Sequence, residues 1–177
     1  PALICFYELL VKTDKSWDEY TSPVEFANIY DGEVFNAGKM SGLVGKAELA
    51  APDRCGDLQD RVSLPVKEQV RIPVKDIMHT PKGDTILDFG QNMTGWVEIK
   101  APLPEGMSIT LTAGEILQDD EFYNENYRTA IAQFRYISDG SGRSARPHFT
   151  FFGFRYMKVE CEIPAEAEWF TAVHFRS

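Results

Sequence analysis

Five carboxylates crowd one short stretch of the chain: Glu115, Asp119, Asp120, Glu121 and Glu125. Sugar hydrolysis uses two carboxyl groups about 5 to 10 Å apart, one protonating the leaving oxygen and the other activating water or attacking the anomeric carbon. With Asn124 and Asn126, the same stretch also offers the hard oxygen donors that calcium takes. Neither pattern is complete. There is no Asp-x-Asp-x-Asp-Gly run, and a charged loop on an acidic surface is ordinarily solvated. No catalytic or metal-ligating residue is therefore assigned, and no cofactor is expected. A second chemistry is ring stacking against a sugar. Trp96, Tyr123 and Tyr127 are the candidates for it, with Trp17, Trp169, Phe151 and Phe152 as further rings. Large rings in a sheet protein more often pack in a core, and Trp96 reads as such a residue, with an indole N–H that needs an acceptor when buried.

The elements that must carry these side chains are strands. Met107, Ile109 and Leu111 alternate with Ser108, Thr110 and Thr112; Met157, Val159 and Cys161 alternate with Lys158, Glu160 and Glu162; Val70, Ile72 and Val74 share one face. This period of two predicts sheets with one packed and one wet face. Turn residues separate them at Pro81–Asp84, Pro102–Gly106 and Ser138–Gly142. No stretch holds a helical period for three turns, although 115–129 has room for a short turn. The expected fold is all-β, an antiparallel sandwich.

Within it, Asp88 to Val97 predicts two strands joined at a tight bend, with Gly90 and Gly95 giving backbone freedom and Gln91 and Asn92 bonding the bend or its neighbouring loop. Phe149 to Tyr156 predicts a strand whose alternation breaks at Phe152–Gly153. Arg155 then faces Asp88, Glu115 or solvent. The stretch 39–61 mixes Gly, Ala, Pro and charge without alternation and reads as a linker. It separates a segment 1–38 from a sandwich over 62–177.

Composition narrows the partners. A net charge of -9 and a pI near 4.8 repel nucleic acid and anionic membrane, whereas a neutral sugar is indifferent to that field. The apolar run from Ala2 to Val11 is broken by Tyr7 and Glu8 and is too short to span a bilayer. No secretion signal is visible, and the compartment is left open. Cys5, Cys55 and Cys161 have no zinc or disulfide spacing, and Cys161 reads as a buried free thiol. His79, His148 and His174 stand apart from one another and read as structural.

Four separated motifs, Asp88-Phe89-Gly90-Gln91-Asn92-Met93-Thr94-Gly95-Trp96, Glu115-Ile116-Leu117, Asn124-Glu125-Asn126-Tyr127-Arg128 and Phe149-Thr150-Phe151-Phe152-Gly153-Phe154-Arg155-Tyr156, together resemble the β-sandwich (jelly-roll or concanavalin-like) that precedes the catalytic barrel of bacterial α-L-rhamnosidases. Upstream, Thr13 to Trp17 and Ile29 to Ala37 resemble the end of the small amino-terminal β-domain of those enzymes. Two positions depart from the family: Asn36-Ala37-Gly38 stands where it has Asp-Ala-Arg, and Phe134 where it has an acid. The resemblance implies a structural motif of Asp88, Gly90, Gln91, Asn92, Gly95, Trp96, Glu115, Asn126, Arg128, Gly153 and Arg155. It also implies a parent glycoside hydrolase that cleaves terminal α-L-rhamnose with inversion, using acids in a helical barrel that this chain lacks. On this reading the chain is a fragment cut at both ends and inactive alone. Its partners are the barrel of the same polypeptide and a rhamnose-containing carbohydrate, and its cut edges favour self-association. A carbohydrate-binding module with its own sugar site is the alternative.

Overall fold

The computed structural model describes residues 14–48 and 62–176. The apolar run from Ala2 to Val11, Cys5, Cys55 and residues 49–61 of the expected linker lie outside the described residues. The described strands are β1 (Asp18–Tyr20), β2 (Val24–Asn28), β3 (Gly32–Asn36), β4 (Leu43–Lys46), β5 (Lys67–Pro73), β6 (Asp76–His79) and β7 (Thr85–Ile99). They continue with β8 (Ser108–Gly114), β9 (Ile116–Gln118), β10 (Glu121–Tyr123), β11 (Gln133–Ile137), β12 (Phe152–Cys161) and β13 (Phe170–Arg176). Short 3₁₀ turns cover Glu125–Tyr127 and Ala167–Trp169.

Two compact units result. One comprises Pro1–Ser22 with Met40–Ser63, the other Pro23–Lys39 with Leu64–Ser177. In the described part of the first, β1 pairs antiparallel with β4. Lys46 spans that pair to Asp18 at 2.6 Å, and Thr21 and Gly42 exchange hydrogen bonds of 2.8 and 2.9 Å.

The second unit is built on a nine-stranded sheet in the order β2-β3-β11-β8-β12-β7-β13-β5, with β6 also on β7, and includes the separate β9–β10 hairpin. β7 makes the sheet curl. Its first residues, Thr85–Asp88, lie between β6 and β12, whereas Gly95–Ile99 lie along β13. One long strand thus serves both layers, and their inward faces close over a single core. Leu87, Phe89, Met93, Val97 and Ile99 meet Ile109, Leu111, Phe134, Phe152, Phe154, Met157 and Phe170 there. Phe134, where the family pattern has an acid, is fully buried in this core.

Several expectations need correction. Pairing is mixed, because β3 runs parallel to β11 while the other pairs of the sheet are antiparallel. β2 and β3 belong to the large sheet, and Met40–Ser63 to the other unit. The alternation of a five-residue strand announces a strand but not its partner, and β11 supplies the free edge that β3 fills.

The tight bend is a bulge within β7 rather than a junction of two strands. Phe154 faces Met93 and Tyr156 faces Asp88, so Phe89–Asn92 swell out opposite the single residue Arg155. Gly90 takes φ +81 at this point. The alternation of β12 is regular through Phe152, Phe154 and Tyr156 and breaks only at Met157, not at Gly153. Cys161 is half-buried at the edge of the core.

Candidate functional site

The β7 bulge is where the four separated motifs meet. Glu115, just past β8, accepts hydrogen bonds on both carboxylate oxygens, from Asn92 Nδ2 at 3.1 Å and Asn126 Nδ2 at 2.9 Å. Asn92 comes from the bulge and Asn126 from the 3₁₀ turn, so one carboxylate ties three segments together. Tyr127 in the same turn donates its hydroxyl to the carbonyl of Gly153 on β12. Burial, and then the charge of Glu115, push the Tyr127 phenol above its ordinary range. A Cβ at Gly153 would stand 3.5 Å from Glu115 Oε1, an ordinary van der Waals contact, so the carboxylate lies directly against this position of β12.

Beneath the bulge, Arg155 forks onto Asp88 with Nε–Oδ1 and Nη2–Oδ2 distances of 2.9 Å each. Of the three alternatives open for Arg155, the structure selects Asp88. The Gly90 N–H donates to the same carboxylate at 2.6 Å. Asp88 is buried, and its carboxyl is held below the usual range by the hydrogen bonds from Arg155, which, with Gly90, outweigh the opposing effect of burial.

A carboxyl group with a lowered folded-state pKa stabilises fully above its unfolded value of about 3.9, and that stabilisation fades as pH falls through the folded value. The stability gap between wild type and Asp88→Asn is therefore expected to be constant from neutrality to mild acid and to narrow below about pH 4. Urea titrations across that range measure it, and a gap that widens on acidification refutes the assignment.

The remaining acids are placed by the backbone. Asp119 and Asp120 form the two-residue turn between β9 and β10, with φ of 52° and 61°, the double positive φ that tight hairpins require. Glu121 accepts from the Lys82 N–H at 3.1 Å. Among the described residues, no group of three or more His, Cys, Asp or Glu is placed to hold a metal.

The aromatic candidates do not form one platform. Tyr123 ends the β9–β10 hairpin, and Tyr127 lines a small cavity with Ile29, Tyr30 and Phe151. Trp96 is not a core residue. It is half-buried, on the face of β7 opposite Val97, and contacts Phe175 edge-on at 4.2 Å. The Arg146 guanidinium lies 4.6 Å over its ring. Its indole N–H is buried and has no hydrogen-bond acceptor among the described residues. These residues border a groove of about 540 Å³ with Val66, Glu68, Arg71, Glu98 and Phe151. Gln91 is exposed on the bulge, and Arg128 follows the 3₁₀ turn at φ 58.

Sequence reasoning missed one pair. Glu33 on β3 is 1% exposed and accepts from the backbone N–H groups of His148 and Phe149 at 2.8 and 2.9 Å and from His148 Nδ1 at 2.8 Å. The available signal was an acid in the same register as Phe35 on a short strand; its partner lies 115 residues away.

Residues 78–176, which contain the whole network, match the description "Bacterial alpha-L-rhamnosidase concanavalin-like domain". An alpha-L-rhamnosidase of Alteromonas sp. (strain LOR) is 32% identical over 162 residues, 85% of this chain. The Streptomyces avermitilis alpha-L-rhamnosidase solved in complex with L-rhamnose superposes over 94% of this chain with a TM-score of 0.85 and 26% identity. The Aspergillus terreus enzyme superposes over 94% with a TM-score of 0.81 and 29% identity. The chain spans only 18% of the Alteromonas protein, 18% of the Streptomyces chain and 21% of the Aspergillus chain. A sandwich bolted at the β7 bulge by Asp88–Arg155 and Asn92–Glu115–Asn126, with the sequence and fold likenesses just given, places this chain in the family of bacterial α-L-rhamnosidase concanavalin-like domains.

Proposed function

We propose that the chain is a non-catalytic β-sandwich module of an α-L-rhamnosidase-like glycoside hydrolase. Its role is mechanical: it supports a helical catalytic barrel elsewhere in the polypeptide and shapes the rim of the substrate cleft. The parent on this reading hydrolyses terminal α-L-rhamnose with inversion. The observation that carries the reading is the engagement of Glu115, the foremost acid of the sequence, on both of its oxygens by Asn92 and Asn126. A general acid or base needs an oxygen free to face substrate. Glu68 and Glu98, which share the Trp96 groove, are both bound by Arg71, at 2.7 Å each. Support for the parent's substrate comes from the relatives, each of which carries the alpha-L-rhamnosidase name.

The test is a rate assay of the chain on an aryl α-L-rhamnoside. Turnover is expected to match the buffer blank. Activity that disappears in Glu115→Gln or Asp119→Asn would overturn the non-catalytic reading.

A further inference from the structure

The groove beside Trp96 is built differently from the rest of the surface. On a chain of net charge -9, it is locally balanced, with Arg71 and Arg146 against Glu68 and Glu98. Arg71 on β5 holds both acids at once: Nε lies 2.7 Å from Glu68 Oε1, Nη1 lies 2.7 Å from Glu98 Oε2 and Nη2 lies 3.1 Å from Glu98 Oε1. That fork fixes two carboxylates as oriented acceptors along one wall.

Arg146, on the loop before β12, presents the opposite chemistry. Its one side-chain hydrogen bond among the described residues is a 3.3 Å contact from Nη1 to the Pro147 carbonyl, and none of the ion pairs there includes it. Its position is set by the Trp96 ring beneath it, so its remaining N–H groups are available as donors. Phe151, Phe175 and Val66 line the same groove with apolar side chains, Phe175 being the buried one of the three. Phe151 is 49% and Val66 62% exposed.

Oriented acceptors, free donors and an apolar strip within one neutral concavity complement a polyhydroxylated ring that also carries an apolar group. We infer that the Trp96 groove binds a neutral 6-deoxyhexopyranoside. Glu98 and Glu68, whose oxygens each already accept from Arg71, accept from ring hydroxyls on their remaining lone pairs; Arg146 donates to hydroxyl oxygens, and the exposed Phe151 and Val66 pack on the C6 methyl and the C–H face. Because Arg146 already covers Trp96, the tryptophan positions the donor rather than stacking on the sugar. The choice of a 6-deoxy sugar rests on the rhamnosidase reading above; the choice of groove does not.

The probe is methyl α-L-rhamnopyranoside, titrated into the ¹⁵N-labelled chain while the indole N–H resonances of the tryptophans are followed. Saturable displacement of the Trp96 resonance is expected, with Kd on the order of 1 mM. Arg146→Ala and Glu98→Gln are each expected to weaken binding about tenfold or more, and Arg146→Lys to restore part of the loss. A matching thermal midpoint shows that each variant is folded.

Absence of a saturable shift at about fifty times that concentration overturns the inference, as does binding that the folded Arg146→Ala variant leaves unchanged. A response confined to the Tyr30–Tyr127 cavity also overturns it. Equal affinity for methyl α-L-mannopyranoside, which carries a hydroxyl at C6, overturns the 6-deoxy assignment. Loss of the groove in these tests leaves the mechanical reading standing, whereas turnover by the isolated chain removes the mechanical reading and leaves the groove.

Discussion

Glu33→Ala is expected to lower the unfolding free energy by about 3 to 5 kcal/mol, since it orphans two backbone N–H donors and empties the space of a buried side chain. The loss falls at a junction. Glu33 sits on β3, and the N–H groups it satisfies belong to His148 and Phe149 just ahead of β12. Thr150 adds a 3.3 Å bond from its hydroxyl to the Ile29 carbonyl, and Phe35 stacks on Tyr136 with ring centroids 6.0 Å apart.

Removing the carboxylate should therefore loosen β2 and β3 from the sheet, with faster amide exchange there than in β8 or β12. Glu33→Gln keeps one acceptor oxygen and is expected to lose roughly half as much. Urea titration separates the cases. A Glu33→Ala midpoint within about 0.5 kcal/mol of wild type, the range of ordinary surface changes, would show that solvent satisfies those donors and that the pair does not hold β3.

What the sequence disclosed depended on the range of the interaction. The period-two pattern of β8 and β12 needs only neighbouring residues, and both strands stand where that pattern puts them. The turn at Pro81–Asp84 is likewise local, closed by the Gly83 N–H on the Thr80 carbonyl at 2.8 Å. The parallel partner of β3 was not legible, because it depends on a free edge about a hundred residues downstream. The bend in β7 was visible as glycines in a polar run, but whether such a run is a hairpin or a bulge is decided by the partner strand. β12 runs past both halves of β7, and that makes it a bulge.

The site divides in the same way. Charge placed Asp88 among the candidate partners of Arg155 without choosing it over Glu115 or solvent, and the joint use of Glu115 by Asn92 and Asn126 was not legible at all, because no spacing rule links a bulge to a 3₁₀ turn. Trp96 reversed its expected face for a related reason. A tryptophan that alternates with Val97 and Ile99 can face either layer, and the curl of β7 turns Val97 and Ile99 inward. On the outer face Arg146 and Phe175 enclose the ring, and its indole N–H is buried there without an acceptor among the described residues.

Gly95→Ala is expected to be among the most damaging single-methyl additions in the sheet, with a loss of about 3 kcal/mol or more. At Gly95, β7 leaves β12 for β13, pairing with Phe152 on one side and His174 on the other. An added Cβ would lie 1.9 Å from the Val173 carbonyl oxygen and 2.9 Å from its carbon. Both atoms are backbone in a fully buried part of β13, so no side-chain rotation relieves the contact. The strands must separate, which breaks the continuity that lets one strand serve both layers.

Gly106→Ala provides the comparison. Gly106 has φ +80 and nothing within 4 Å of an added Cβ, so its cost is that of the left-handed backbone alone, about 1 to 2 kcal/mol. The order of the two variants in denaturant decides the matter. If Gly106→Ala is the less stable, close approach of β7 and β13 is not what requires glycine at position 95, and the account of the curl through that crossing fails.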